Sequence, residues 1–213
     1  MSLAEDLTRG CKQQGLKLAA EVCEKLLTYL NLLDKWNKVY NLTAIRAEDK
    51  VVSHHLLDSL AVLPFVPKGR LLDAGSGAGL PGLPLAVVNP DLHVTLLDSN
   101  HKKSAFQRQA IAELGLSNVL VVSARAENYQ VKEKFSAIIS RAFADLTTFV
   151  EVTSHLIRPE GAYLAMKGVY PNEELEQLSS KANLQSVQRL QVAGLDAERH
   201  LVILRPSRLE VSA

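Results

Sequence analysis

The chain has little cysteine: Cys11 and Cys23 are the only two in 213 residues. Both lie in a helical-looking N-terminal region. They are too few for a disulfide framework and lack a metal-binding spacing, so both are read as free thiols of a reducing compartment. No apolar run approaches the length needed to span a bilayer. The opening MSLAEDLTRG carries two acids and no apolar block, unlike a signal peptide. These absences predict a cytosolic protein. Internal repeats and low-complexity segments are also missing. The net charge is only +1, so the total does not point to a nucleic-acid partner. With 47% hydrophobic and 22% charged residues, the composition is that of an ordinary folded domain with a sizeable core, or a core with an appendage.

The charge that is present is unevenly spread. Residues 101–134 carry six Lys and Arg against three Asp and Glu, whereas residues 151–198 carry four against seven. Such a surface permits a phosphate-binding face, and equally a solvated helix with its flanking loops.

Two rhythms follow one another along the chain. Leu18, Val22, Leu26, Leu30 and Leu33 fall at helical spacing over 16–33, and Val52, Leu56, Leu60 and Leu63 do so over 48–63. Between them lies WNKVYNLTAIR (36–46), with the cap-like Asn41 and Thr43. Pro64 and Pro67 break the pattern. Beyond Lys68, short β-rich runs at 70–74, 93–98, 118–124, 135–140, 161–168, 184–192 and 200–206 alternate with helical stretches at 82–89, 101–115, 145–157 and 171–181. Repeated strand–helix units of this size predict a parallel sheet covered on both faces. The last two strands have only Gly194 and Asp196 as a turn signal between them, which predicts a terminal antiparallel hairpin.

LLDAGSGAGLPG (71–82) therefore sits between the first strand of the sheet and its first helix, where open α/β sheets bind ligands. Gly75, Gly77 and Gly79 strip the loop of side chains, so that a ligand can meet backbone N–H groups. Pro81 suits the first position of the following helix. Gly77, Gly79 and Gly82 satisfy a dinucleotide spacing, but Gly75, Gly77 and Gly79 follow the strand directly and Asp73 precedes them. A carboxylate there repels a pyrophosphate and suits the cationic S-adenosylmethionine (SAM). Asp98 ends the second strand and is placed to bind ribose hydroxyls, or to cap the helix that follows. Ala126 and Glu127, after the third strand, border the expected adenine position.

The chain resembles the bacterial glucose-inhibited division protein B family. The resemblance rests on WNKVYNLTAIR (36–46), HHLLDSLAV (54–62), DAGSGAGLPGLPLA (73–86), LLDSNHKKSAF (96–106), ARAE (124–127) and SRAFADL (140–146), and covers nearly the whole chain. One departure is His54, where family members commonly carry Arg. The resemblance implies an α/β class I SAM-dependent methyltransferase: a Rossmann-like, seven-stranded, mostly parallel sheet with a terminal antiparallel hairpin, preceded by N-terminal helices. Residues 1–67 would form the helical extension and 68–213 the SAM-binding core, together one unit. The implied reaction is methylation of a guanine N7 in 16S ribosomal RNA, at guanine 527, on naked RNA or on the small ribosomal subunit. The implied cofactor contacts are Gly75, Leu80, Ala126, Glu127 and Arg141.

The residues agree with that chemistry. No Asn- or Asp-Pro-Pro-aromatic motif for exocyclic amines follows the fourth strand, and no cysteine stands there for attack on a pyrimidine ring. Guanine N7 needs neither, because its lone pair is free at neutral pH. Arg141 can hold guanine O6 while leaving N7 exposed, or can simply pair with Asp145 or Glu127. Lys102, Lys103, Arg108, Arg125 and Lys167 are candidate RNA-phosphate contacts. His55 and Asp58 fall three apart on one helix face, a spacing for a local hydrogen bond. No metal is expected, and nothing demands more than a monomer. The alternatives are an NAD-dependent oxidoreductase, using the frame from Gly77 to Gly82, and a non-catalytic RNA- or nucleotide-binding module.

Overall fold

A computed structural model describes residues 2–45, 47–141, 143 and 145–207, with only the backbone of Glu48 and Asp49. Arg46 of the WNKVYNLTAIR segment and Ala142 and Ala144 of SRAFADL lie outside the described residues.

The N-terminal third is helical for local reasons. Ser2 opens α1 (Leu3–Gln13) with a capping box: its Oγ accepts from Glu5 N, and a Glu5 carboxylate oxygen accepts from Ser2 N at 2.8 Å. The second helix, α2, runs Ala20–Tyr40 and buries Leu26, Leu30 and Leu33. It continues seven residues past Leu33, where the apolar stripe alone placed its end, because DKWNKVY contains no breaker. Asn41 stops it in the left-handed region at φ 52°.

The helix expected over 48–63 departs from its α pattern. It starts as α3 (Glu48–Val51), widens into a π-helix over Val52–Leu57, and returns to α4 (Asp58–Leu60). A π segment keeps apolar residues on the same broad face, so their spacing does not betray it. Here Val52, Ser53, His55, Leu56 and Leu57 are all buried.

The sheet follows in the order β3-β2-β1-β4-β5-β7-β6. Its strands are β1 (Arg70–Ala74), β2 (His93–Leu97), β3 (Val119–Val122), β4 (Phe135–Ser140), β5 (Ile157–Lys167), β6 (Ala182–Arg189) and β7 (His200–Pro206). The first five are parallel, with Asp73 opposite Leu96 on one side and Ile139 on the other. The hairpin is inserted inward: β7 lies between β5 and β6 and is antiparallel to both. β5 begins four residues before the GAYLAMKG run, with Ile157 opposite Phe135 and an irregularity before Ala162. Four helices complete the core: α5 (Gly82–Val88), α6 (His101–Leu114), α7 (Leu146–Thr153) and a short α8 (Asn172–Glu176), the last ending well before residue 181.

Period-two alternation splits the apolar residues between the two faces of the sheet. Leu71, Ile139 and Leu164 join the cluster that contains Leu26, Leu33, Leu83 and Phe106, so α1 and α2 share their core with α5 and α6. Leu72, Ile138 and Ala165 face the other way, against Phe149 and Val150 of α7. The C-terminal ends of β1 and β4, neighbours whose connections leave in opposite directions, form the topological switch point.

Candidate active site

The loop after β1 is tied down on both sides. Gly75 N and Ser76 N donate to Leu97 O at the end of β2, at 2.8 and 3.1 Å, while Gly79 N and Leu80 N turn back to Ser76 O at 2.7 and 3.0 Å. Gly75, Gly77 and Gly79 all have positive φ, at 71°, 58° and 82°. Their roles differ. A Cβ on Gly79 would collide with Leu83, and one on Gly82 with Leu96 and Asp73, so these two serve close packing. A Cβ on Gly77 would meet nothing nearer than Gly75 O at 3.9 Å and Lys103 Nζ at 4.0 Å. A side chain would thus be accommodated at Gly77, so it is the positive φ rather than packing that favours glycine there. Pro81 is the cap residue of α5 rather than its first helical residue.

Asp98 is 8% exposed and points at this loop. Its Oδ2 accepts from Gly77 N at 2.9 Å and its Oδ1 from Asn100 N at 2.8 Å, with Lys103 Nζ 3.8 Å from Oδ2. The cap of α6 is Asn100, whose Oδ1 accepts from Lys102 N and Lys103 N, so the helix-cap alternative for Asp98 falls. Each carboxylate oxygen retains a further acceptor site.

Asp73 lies deeper than its place in the motif suggests. It is fully buried; its Oδ2 accepts from Gly82 N at 2.8 Å and its Oδ1 has no partner. Burial pushes its carboxyl up to about 7, with the Gly82 N–H and Arg141 pulling the other way. At neutral pH it is therefore partly protonated, and its charge is a weaker argument against a pyrophosphate than the sequence suggested.

Two residues that periodicity could not single out hold the loop. Tyr29 of α2 is buried and donates to Ala78 O at 2.7 Å. Gln107 of α6 donates through Nε2 to Ser76 Oγ and Gly77 O, both at 2.8 Å, and its Oε1 is buried without a partner.

The remaining candidates divide. Ala126 is half-buried and Glu127 exposed in a 3-10 turn after β3, and Leu80 is buried with the apolar core. Arg141, after β4, pairs with neither Asp145 nor Glu127. Its Nη1 donates to Asp58 Oδ2 at 3.2 Å and to His54 O at 3.0 Å, while Asp145 caps α7 by accepting from Thr148 N. Nor does His55 bond to Asp58. His55 is buried with both ring nitrogens unpartnered, and burial, with Arg141 nearby, depresses its pKa to about 4. Arg199 holds the other Asp58 oxygen, Nε to Oδ1, at 3.0 Å. Of the proposed RNA contacts, Arg108 and Arg125 are exposed, and Lys102 is exposed with Nζ 5.8 Å from the Tyr40 ring centroid. Lys103 is turned toward Asp98, and Lys167 is tied to Glu174 at 2.8 Å, so Lys167 is not a plain surface cation.

The family model described as rRNA small subunit methyltransferase G matches residues 22–202. The chain belongs to this family. It is 52% identical over 204 residues to the ribosomal RNA small subunit methyltransferase G of Laribacter hongkongensis, covering 96% of this chain and 99% of that one. To the same-named protein of Chromobacterium violaceum it is 54% identical, over 92% and 95% of the two chains. Among solved structures it shares the fold of a SAM-dependent methyltransferase from Aquifex aeolicus, with TM-score 0.57 and 18% identity over 73% of this chain and 93% of that one. It also shares the fold of one from Geobacter sulfurreducens in complex with S-adenosylhomocysteine, with TM-score 0.55 and 15% identity over 83% and 98%. The class I methyltransferase fold is thus that of a family of rRNA small subunit methyltransferases. Among the described residues no helix is long and apolar enough to cross a membrane, and no group of three His, Cys, Asp or Glu is placed to hold a metal.

Proposed function

We propose that this protein transfers the methyl group of SAM to N7 of a guanine in 16S ribosomal RNA, guanine 527 by family resemblance, as a cytoplasmic enzyme acting on the RNA or the small subunit. The observation that carries the cofactor assignment is Asp98, held beside the glycine loop by Gly77 N 2.9 Å from its Oδ2 and by Asn100 N on its Oδ1, with an acceptor site left on each oxygen. The loop supplies bare backbone and Asp98 supplies acceptors for ribose hydroxyls. Gly75, Gly79, Leu80, Ala126 and Glu127 complete the cofactor rim on this reading. The bound cofactor contributes an electrophilic methyl on a sulfonium.

In-line transfer to a guanine N7 needs no proton removed, and the groups around Arg141 fit that requirement. His55 is buried with its pKa depressed to about 4, which makes it a poor base, and Asp58 is engaged by two guanidinium groups. What the chain supplies is alignment and a fixed electrostatic environment. Arg141, fixed by Asp58 and His54 O, fits the role of holding O6 or the cofactor. A cation closer to N7 would oppose the positive charge that methylation places on the ring.

The test is to map N7-methylguanine in 16S rRNA from a strain lacking the gene, then restore it with purified protein and SAM. Loss and restoration at one guanine are expected; an unchanged methylation map overturns the reading. Arg141→Ala should also lower the single-turnover rate at saturating SAM by at least tenfold. A wild-type rate would confine Arg141 to binding or structure.

A further inference from the structure

Asp58 is 2% exposed, yet each of its oxygens takes a guanidinium: Arg141 at 3.2 Å and Arg199 at 3.0 Å. Three separate elements meet there. Asp58 follows the π-helix, Arg141 follows β4, and Arg199 immediately precedes β7, whose His200 lies opposite Lys167 at the end of β5. One carboxylate facing two arginines leaves an excess positive charge. That excess borders a cleft of about 380 Å³, which Met166 and Gly168 also line. Arg141 and Arg199 are 28% and 23% exposed, so both reach its surface. Among the described residues, Nη2 of Arg199 makes no hydrogen bond: Nε serves Asp58 and Nη1 serves Glu198 O.

The cleft lies over the β4–β5–β7 half of the sheet, whereas the glycine loop and Asp98 lie over the β1–β2 half. The switch point separates them, so a ligand in the cleft would approach the cofactor from the opposite side. Among the described residues, no Phe, Tyr or Trp lines the cleft to stack a base. Its chemistry is that of an anion site built on forked guanidinium donors.

We propose that this cleft seats a backbone phosphate of the substrate RNA, with Arg199 as the cation that binds it and Asp58 as the positioning residue that holds Arg199 and Arg141 at fixed spacing. The proposal rests on the RNA-methyltransferase reading above and adds the place where the strand is gripped. The π-helix fits the same purpose, because it brings His54 O and Asp58 Oδ2 onto one nitrogen of Arg141.

The experiment uses the full chain, SAM and 16S rRNA from a strain lacking the gene. Arg199→Ala should weaken RNA binding about tenfold and reduce the slope of log affinity against log salt by about one, the signature of one lost phosphate contact. SAM affinity should stay near wild type, while the unfolding temperature falls because Asp58 Oδ1 loses its partner. Arg199→Lys should keep the slope, since the charge remains. Asp58→Asn should keep the slope but lower the single-turnover rate more than it raises the KM for RNA, because both cations persist without a common anchor. A wild-type salt slope in Arg199→Ala overturns the proposal, whether or not the Asp58 variant folds. A protein that binds SAM yet never methylates 16S rRNA, even as wild type, overturns the underlying reading instead, so the two failures are distinguishable.

Discussion

Among single residues, Asp73 shows how burial alters a motif residue. A carboxyl whose ordinary value is 3.8 is pushed up to about 7, mainly by burial. The folded chain therefore keeps a proton that the unfolded chain has already released. The contribution of Asp73 to stability is greatest below the unfolded value and falls as pH rises through the folded one, between about pH 4 and pH 7. Asp73→Asn removes that titration and keeps an oxygen to accept from Gly82 N. Urea unfolding should show the variant gaining on the wild type between about pH 5 and about pH 8. An equal difference at both pH values would mean that Asp73 is ionised throughout. A bound cofactor carrying an ammonium near Oδ1 should favour the carboxylate and release a proton on binding.

At the scale of elements, α2 reaches across to the glycine loop through one hydroxyl. The Tyr29 hydroxyl and Ala78 O are buried together, so Tyr29→Phe leaves a carbonyl without its partner. The expected cost is about 1 kcal/mol, rising toward ~3 kcal/mol if no water replaces the bond. Thermal unfolding measures that cost, and calorimetry with SAM should show weaker binding because the loop loses a brace. Unchanged values in both would make the contact incidental. The π-helix teaches a related lesson. HHLLDS reads as an ordinary amphipathic helix, and its extra width matters only because Arg141 and Arg199 approach it from distant parts of the chain.

For the whole molecule, the question is whether residues 1–67 are an appendage. Phe106 of α6 packs against Tyr29 and Trp36 at centroid distances of 6.1 and 5.7 Å, and Trp36 Nε1 donates to Gln109 Oε1 at 3.1 Å. One apolar cluster contains Leu7, Leu30, Leu60, Leu83 and Leu96 alike. We propose that the two parts fold as one unit. A chain starting at Lys68 should then lose cooperative thermal unfolding by circular dichroism. A sharp melt from that fragment would show an independent core instead.

The sequence by itself determined the order and kind of the sheet's elements, because alternation with period two and helical spacing follow from burying apolar side chains on each face. It placed β1, β4 and β7 at their observed bounds and set the glycine loop directly after β1. It also marked Asp98 and Arg141, each at a strand's end. Only the tertiary structure decided the partners. Asp58 meets Arg199, which is 141 positions away, and Tyr29 meets Ala78 across 49. Gln107 looks like any polar residue on α6 until the loop closes over it. Asp73 looks like a charged ligand until its burial is known. Hydrogen bonding and desolvation depend on neighbours in space, and a pattern of spacing along the chain carries no record of them.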